Sequence, residues 1–480
     1  MFKASLVITG GLGVVLMAAA VKATSIPPIQ ESENWPGGAA TQKHLLDLRA
    51  FSQRSELLPD AERMNFVLGE SIFGKLWVSS PSSTTASDGL GPLFNARSCL
   101  SCHVRNGRGV VDPDDPNQVS LLLKLSIPPG TPEQVKQLAS ESVGFIPEPI
   151  YGAQLQTLSV QGLPAEGRLQ VSYESRVVEF PDGERVELRA QSYSVEALSY
   201  GPMHPDALFS PRIAPAMIGL GLLEAVSDED ILSLEDPDDS NGDGIRGRAN
   251  RVWDIARGET RIGRFGWKAS HPNVSQQNLA AFHEDIGIST WMFPDGFGAC
   301  TEQQVDCRQM PDGNSEHMDG VEASNEMIRV LETYTRHLAV PARRNAAQQE
   351  VIDGRRLFYE AGCHSCHRPS FITSIDAPEG LAAVEIWPYT DLLLHDMGEG
   401  LADHRPEFEA NGRDWRTPPL WGIGLTQEVS GQTGFLHDGR ARNLTEAILW
   451  HGGEAEASRQ HFMQMDKSQR AQLLMFIESL

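Results

Sequence analysis

Apolar residues recur at helical spacing across 46–73, through Phe51, Leu57, Met64, Phe66 and Val67, which predicts a helix there. The same period predicts helices over 211–223, 280–288, 322–338, 350–361 and 467–480. Between 118 and 200 the pattern changes. Segments 120–127, 154–160 and 169–173 have strand composition, and 176–180 and 185–189 flank Pro181-Asp182-Gly183-Glu184, a hairpin signal. The expected architecture is therefore mainly α with a β-rich insertion at about 118–200, covering one of the helical units. Residues 24–45 read as an irregular arm and 339–344 as a linker, so the helical units are expected at 46–340 and 341–480.

Length and composition leave room for two or three domains, and the chain is 480 residues long. The first residues carry Lys3 and then an apolar, glycine-rich run ending in Val21-Lys22-Ala23. A small residue at each end of that tripeptide fits a cleavage site, so 1–23 is expected to be a signal peptide and the protein periplasmic. An uncleaved anchor is the other reading, because the run is close to spanning length. No later run is long and apolar enough to cross a membrane. The formal charge of −24 argues against nucleic acid and anionic membrane surfaces as partners. It suits a small basic redox protein as partner, though an acidic surface more often serves only solubility.

Four of the six cysteines fall in a repeated pattern, Cys99-Leu100-Ser101-Cys102-His103 and Cys363-His364-Ser365-Cys366-His367. Cys-x-x-Cys-His is the attachment signature of a c-type haem. Two thiols add across the haem vinyl groups, and the histidine that follows reaches the iron. Two covalent haems c are expected, ligated by His103 and His367. Paired zinc or thiol-redox sites are the alternative. The expected fold then becomes two cytochrome-c-like haem domains, the β-rich insertion lying in the first. Cys300 and Cys307 remain, and an oxidising compartment permits a disulfide between them. In 236–248, Asp239, Asn241 and Asp243 occupy the first, third and fifth places of a calcium-loop pattern. The twelfth place is Asn250 rather than Glu, so a bare Asx-rich turn and a calcium site both stand.

The C-terminal part contains Trp415-Arg-Thr-Pro-Pro-Leu-Trp-Gly-Ile-Gly424, then Phe435-Leu-His-Asp-Gly-Arg440 and Ile448-Leu-Trp-His-Gly-Gly-Glu454. With Ser210-Pro-Arg-Ile-Ala-Pro215 and Gly263-Arg-Phe-Gly-Trp-Lys268, these segments resemble the di-haem oxidoreductase family. That family is related to bacterial di-haem cytochrome c peroxidases and to methylamine-utilisation di-haem enzymes. The resemblance implies a peroxidase-type oxidoreductase that activates peroxide, or another small oxidant, at the first haem. Electrons would arrive at the second haem from a small cytochrome or cupredoxin and pass Trp267, which resembles the tryptophan between the haems. Asp285, or its neighbour Glu284, falls near the acid that peroxidases place above the reactive iron, where it would move a proton between the peroxide oxygens.

The resemblance also places His451 where those peroxidases have a methionine ligand, which implies a bis-histidine second haem. Capping of the helix end is the competing role for His451, and Met397, Met463 and Met465 are further ligand candidates. His204 lies where a displaceable ligand of the first iron is expected, with His271 and His283 in the same region. Two other functional classes remain open: a closed, non-catalytic electron-transfer protein and an oxidase of an organic or protein substrate.

Overall fold

The computed structural model describes residues 26–44, 46–84, 86–111 and 119–480. The expected signal peptide lies outside them. Helix makes up 30% of the chain and strand 17%. The strands form six two-stranded antiparallel ladders among the described residues. This overturns the expectation of a mainly α chain built as two cytochrome-c-like haem domains.

The reason is visible where predicted helices failed. Of 46–73, only Arg63–Phe73 is α-helical, because Pro59 interrupts the run. Residues 211–223 divide: Leu208–Ile213 is a strand paired with Leu121–Ser126, and only Leu220–Glu224 is helix. Pairing with a distant strand outweighed the local period there.

Two long helix pairs hold the remainder. Asn325–Arg336 is capped by Ser324, whose side chain accepts from Met327 N, and it buries Ile328, Leu331 and Tyr334 against Arg63–Phe73. Gln349–Glu360 crosses Lys467–Ser479 in the same way. Each crossing needs a glycine. A Cβ at Gly69 would strike Val330 O, and one at Gly354 would strike Gln472 O.

The β-rich segment is dominated by one hairpin, Arg168–Glu179 with Arg185–Glu196, longer than its sequence signal. Although it is inserted in the first half of the chain, it packs on the C-terminal part. Phe180 at its tip meets Phe462 edge-on at 5.9 Å, and Arg470 binds Asp182 at 2.5 Å and Glu184 at 2.9 Å. Tyr193 donates to Asp438 at 2.9 Å. The cores interleave likewise: Phe180, Leu188, Ile213 and Trp267 belong to one apolar cluster with Val351, Phe358 and Phe476. The N-terminal arm is tied in by Glu33, fully buried and held by Arg355 at 2.7 and 2.9 Å.

Candidate haem sites

Ser98 caps the single turn Cys99–Cys102 by accepting from Ser101 N at 3.2 Å. Cys99 and Cys102, three apart on that turn, therefore share a face. The chain leaves the helix at His103, whose Nδ1 donates to Pro215 O at 2.7 Å. Burial pushes the imidazole down to about 4, so it stays neutral with Nε2 as the open lone pair. Cys99, Cys102 and His103 line a cavity of about 430 Å³.

The second run is built differently to the same end. Gly362, at φ 78°, opens the turn Cys363–Ser365, and His367 N returns to Cys363 O at 2.9 Å. His367 Nδ1 donates to Tyr389 O at 3.0 Å, and burial again lowers the ring to about 4. Cys363, Cys366 and His367 line a cavity of about 210 Å³. His451 lines the same cavity, with Nδ1 on Ala447 O at 2.7 Å and burial keeping it neutral. That leaves its Nε2 as a second free imidazole nitrogen. Met397 also lines this cavity, whereas Met463 and Met465 do not.

The four thiols are unbridged, and burial pushes Cys99 and Cys363 up to about 12. Cys366, Asp391 and His395 lie within metal-binding reach of one another. Both His395 nitrogens are already engaged, Nε2 with Asp391 at 2.8 Å and Nδ1 with Glu454 at 2.7 Å. Burial works against protonation, but Asp391 and Cys366 hold the imidazole well above its ordinary value. A protonated ring between two carboxylates is a cation, not a ligand.

Trp267 lines both cavities. Its indole Nε1 donates to Ile213 O at 2.8 Å, which fixes the ring in the common wall. Trp421, Arg108 and Arg416 line both cavities too. Trp421 was legible only as part of the quoted Trp-Arg-Thr-Pro-Pro-Leu-Trp run, with no sign that it would face both sites.

Glu284 and Asp285 both line the first cavity, on the π-turn Phe282–Ile286. Their environments differ. Burial raises Glu284, but the Lys124 ammonium paired with it more than offsets this, and the net shift is downward. Burial pushes Asp285 up to about 6, against Lys124 and a 2.9 Å hydrogen bond from Gln154. Lys124 was not singled out in the sequence; its signal was a lone cation in the apolar strand Leu121–Ser126.

The histidines of this region separate clearly. His271 lines the first cavity, and its buried Nδ1 has no partner. His283 stacks on Phe293 at 4.7 Å and does not line the cavity. His204 is also outside it, on a partly exposed loop where its Nδ1 accepts from Asp206 N at 3.2 Å.

The Asp/Asn loop turns its oxygens onto its own backbone. Asp239 accepts from Gly244 N, Asn241 from Asp243 N and Asp243 from Ile245 N, at 3.0, 2.8 and 2.9 Å. The loop also reaches the second cavity, through Ile245 in its wall and Arg246 N on Glu454 at 2.9 Å. Cys300 and Cys307 are joined by a disulfide, as expected.

The family model described as "Di-haem oxidoreductase, putative peroxidase" matches residues 32–480. The chain belongs to the di-haem oxidoreductase family. No curated protein matches it. Among solved structures, hydrazine synthase of Kuenenia stuttgartiensis is similar over 40% of this chain and 67% of that one, at 16% identity and a TM-score of 0.24. The residues fit the two haems of a di-haem oxidoreductase. Each cavity offers two thiols and an imidazole with Nε2 free, and the common wall carries a buried indole donor without a partner, Trp421 Nε1.

Proposed function

We propose that this di-haem oxidoreductase is a periplasmic, peroxidase-like enzyme with both haems attached covalently, through Cys99 and Cys102 and through Cys363 and Cys366. In this reading peroxide is reduced in the first cavity and a small redox protein delivers electrons at the second. When bound, each haem supplies an iron that changes charge by one electron, and the first also supplies a coordination position for a peroxide oxygen.

The observation that carries the proposal is the contrast between the two cavities. The second is the smaller and presents two free imidazole nitrogens, His367 Nε2 and His451 Nε2, which suits a closed electron-transfer site. The first is about 430 Å³ against about 210 Å³ and presents a polar set, Lys124, Glu284, Asp285 and His271. There Lys124 keeps Glu284 charged. Asp285, at about 6, is matched to taking a proton from one peroxide oxygen and returning it to the other near neutral pH. Trp267, held by Ile213 O, separates the two cavities and gives electrons an aromatic route between them.

Protein collected from the periplasm should have an intact mass equal to the processed polypeptide plus two haems. It should also reduce peroxide with an artificial donor. Haem that extracts into acid acetone would overturn covalent attachment, and absent turnover would overturn the enzyme. The competing arrangement is a wire in which His271 closes the first iron; its unpartnered Nδ1 is what favours that reading.

The assignment of His451 makes a separate prediction. His451→Met should raise the potential of the second haem, because a thioether favours the reduced iron relative to imidazole. The expected rise is on the order of 0.1 V, within the ~0.8 V range that axial ligands span. Redox titration followed optically measures it, and an unchanged potential with an unchanged low-spin spectrum would place the ligand elsewhere, with Met397 next in line.

A further inference from the structure

Arg108 and Arg416 stand in the wall common to both cavities. Elsewhere in this acidic chain, buried guanidiniums find carboxylates: Arg212 and Arg405 share Glu407, Arg355 binds Glu33, and Arg440 binds Asp438. Arg416, buried, and Arg108, half-buried, do not, among the described residues. Arg108 donates from Nε to Gly434 O at 2.9 Å and from Nη2 to Leu436 O at 2.7 Å. Arg416 donates from Nε to Gly266 O at 3.0 Å and from Nη1 to Thr417 O at 3.1 Å. Backbone carbonyls orient both groups without neutralising either. Among the described residues, each keeps one terminal nitrogen without a hydrogen-bond partner, Nη1 of Arg108 and Nη2 of Arg416.

An ionised group taken out of water without a counterion is costly. Burial pushes both arginines down to about 10; Asp391, itself engaged by His395, offsets this only partly for Arg416. A second site feature points the same way, since Trp421 Nε1 in the same wall is a buried donor with no acceptor. A guanidinium with a free Nη is suited to a charge-assisted hydrogen bond to a carboxylate. Haem carries two carboxylates, and among the described residues no polypeptide carboxylate pairs with either guanidinium.

We propose that Arg108 and Arg416 are the counterions of haem carboxylates at the common wall, each through its remaining Nη, and that they raise the haem potentials. The inference rests on the cavities holding haem, as proposed above. Reduction removes one positive charge from the iron, so a fixed cation nearby stabilises the reduced form relative to the oxidised one.

The test is a redox titration, followed optically, of wild type, Arg108→Gln, Arg416→Gln and the two Lys variants, after haem content is measured in each. In at least one haem of each Gln variant, the equilibrium constant for reduction should fall by about tenfold, equivalent to about 59 mV for one electron. Each Lys variant, which keeps the charge, should recover most of that loss. Wild type without two haems per chain would defeat the functional proposal instead. With haem present, unchanged potentials in both Gln variants would overturn the inference. So would Lys variants as displaced as the Gln ones, because the effect would then be structural. Should a Gln variant lose haem, the Lys variant alone decides: retained haem at wild-type potential supports a charge role, and loss of haem there too overturns it.

Discussion

Asp285→Asn should keep both haems and their potentials and lose peroxide turnover by at least about a hundredfold. Asparagine preserves the shape of the side chain and can still accept from Gln154, which binds Asp285 Oδ1 at 2.9 Å. It cannot accept and return a proton. Positioned acid–base groups are typically worth about a hundredfold to ten-thousandfold, so the loss is large if the carboxyl acts in the slow step. The pH profile gives an independent check. Burial pushes Asp285 up to about 6. Acting first as a base, it must be deprotonated, so wild-type turnover should fall as pH drops through about 6, and the residual activity of Asp285→Asn should lack that limb. Glu284→Gln is the comparison. Lys124 holds Glu284 charged, which makes it a fixed electrostatic partner and not a shuttle. Equal turnover in wild type and Asp285→Asn, with a large loss in Glu284→Gln, would transfer the role to Glu284.

The second large effect is on stability. Lys268 follows Trp267 and is fully buried, with Nζ donating to Asp403 Oδ1 at 2.8 Å, Arg405 O at 2.9 Å and Asn411 O at 2.8 Å. Burial lowers the ammonium to about 8 in spite of Asp403. Lys268→Met keeps much of the volume but leaves the buried Asp403 carboxylate without its counterion, held only by Ser210 Oγ at 2.5 Å and Arg405 N at 3.0 Å, and removes the donor to two carbonyls. Breaking one partner of a buried ion pair costs about 3–5 kcal/mol. Denaturant unfolding should show a loss of that size. The exposed pair Arg356–Glu360 is the control, and Arg356→Ala should cost under about 1 kcal/mol. A Lys268→Met loss no greater than the control would show that Asp403 is satisfied without it. Because Lys268 adjoins Trp267, the variant should also loosen the indole from Ile213 O.

The two Cys-x-x-Cys-His runs were legible because their chemistry is local: thiol, thiol and imidazole within five residues. The hairpin was legible from Pro181-Asp182-Gly183-Glu184, though its full length was not, since the outer strand residues are mixed in polarity. The fold class was not legible. The apolar period at 211–223 looks helical in isolation, but Leu208–Ile213 pairs with Leu121–Ser126, more than eighty residues earlier in the chain. His271 and His204 could not be separated by sequence either. Both are single histidines after the first run, and only the bridge between Phe265 and His271 places one at the cavity and leaves the other on a surface loop. Lys124, Arg108 and Arg416 act through distant partners, so no spacing announces them. Trp267 was reached through family resemblance, and it lines both cavities.

The most direct test of an enzyme built on an open first cavity and a closed second one is electron-spin and optical spectroscopy of the protein reduced by one electron, before and after peroxide. The first iron should show a high-spin component in the half-reduced protein, peroxide should abolish it, and the second iron should stay low-spin throughout. Two irons that remain low-spin after half-reduction, with no response to peroxide, would contradict this and favour the closed electron-transfer reading.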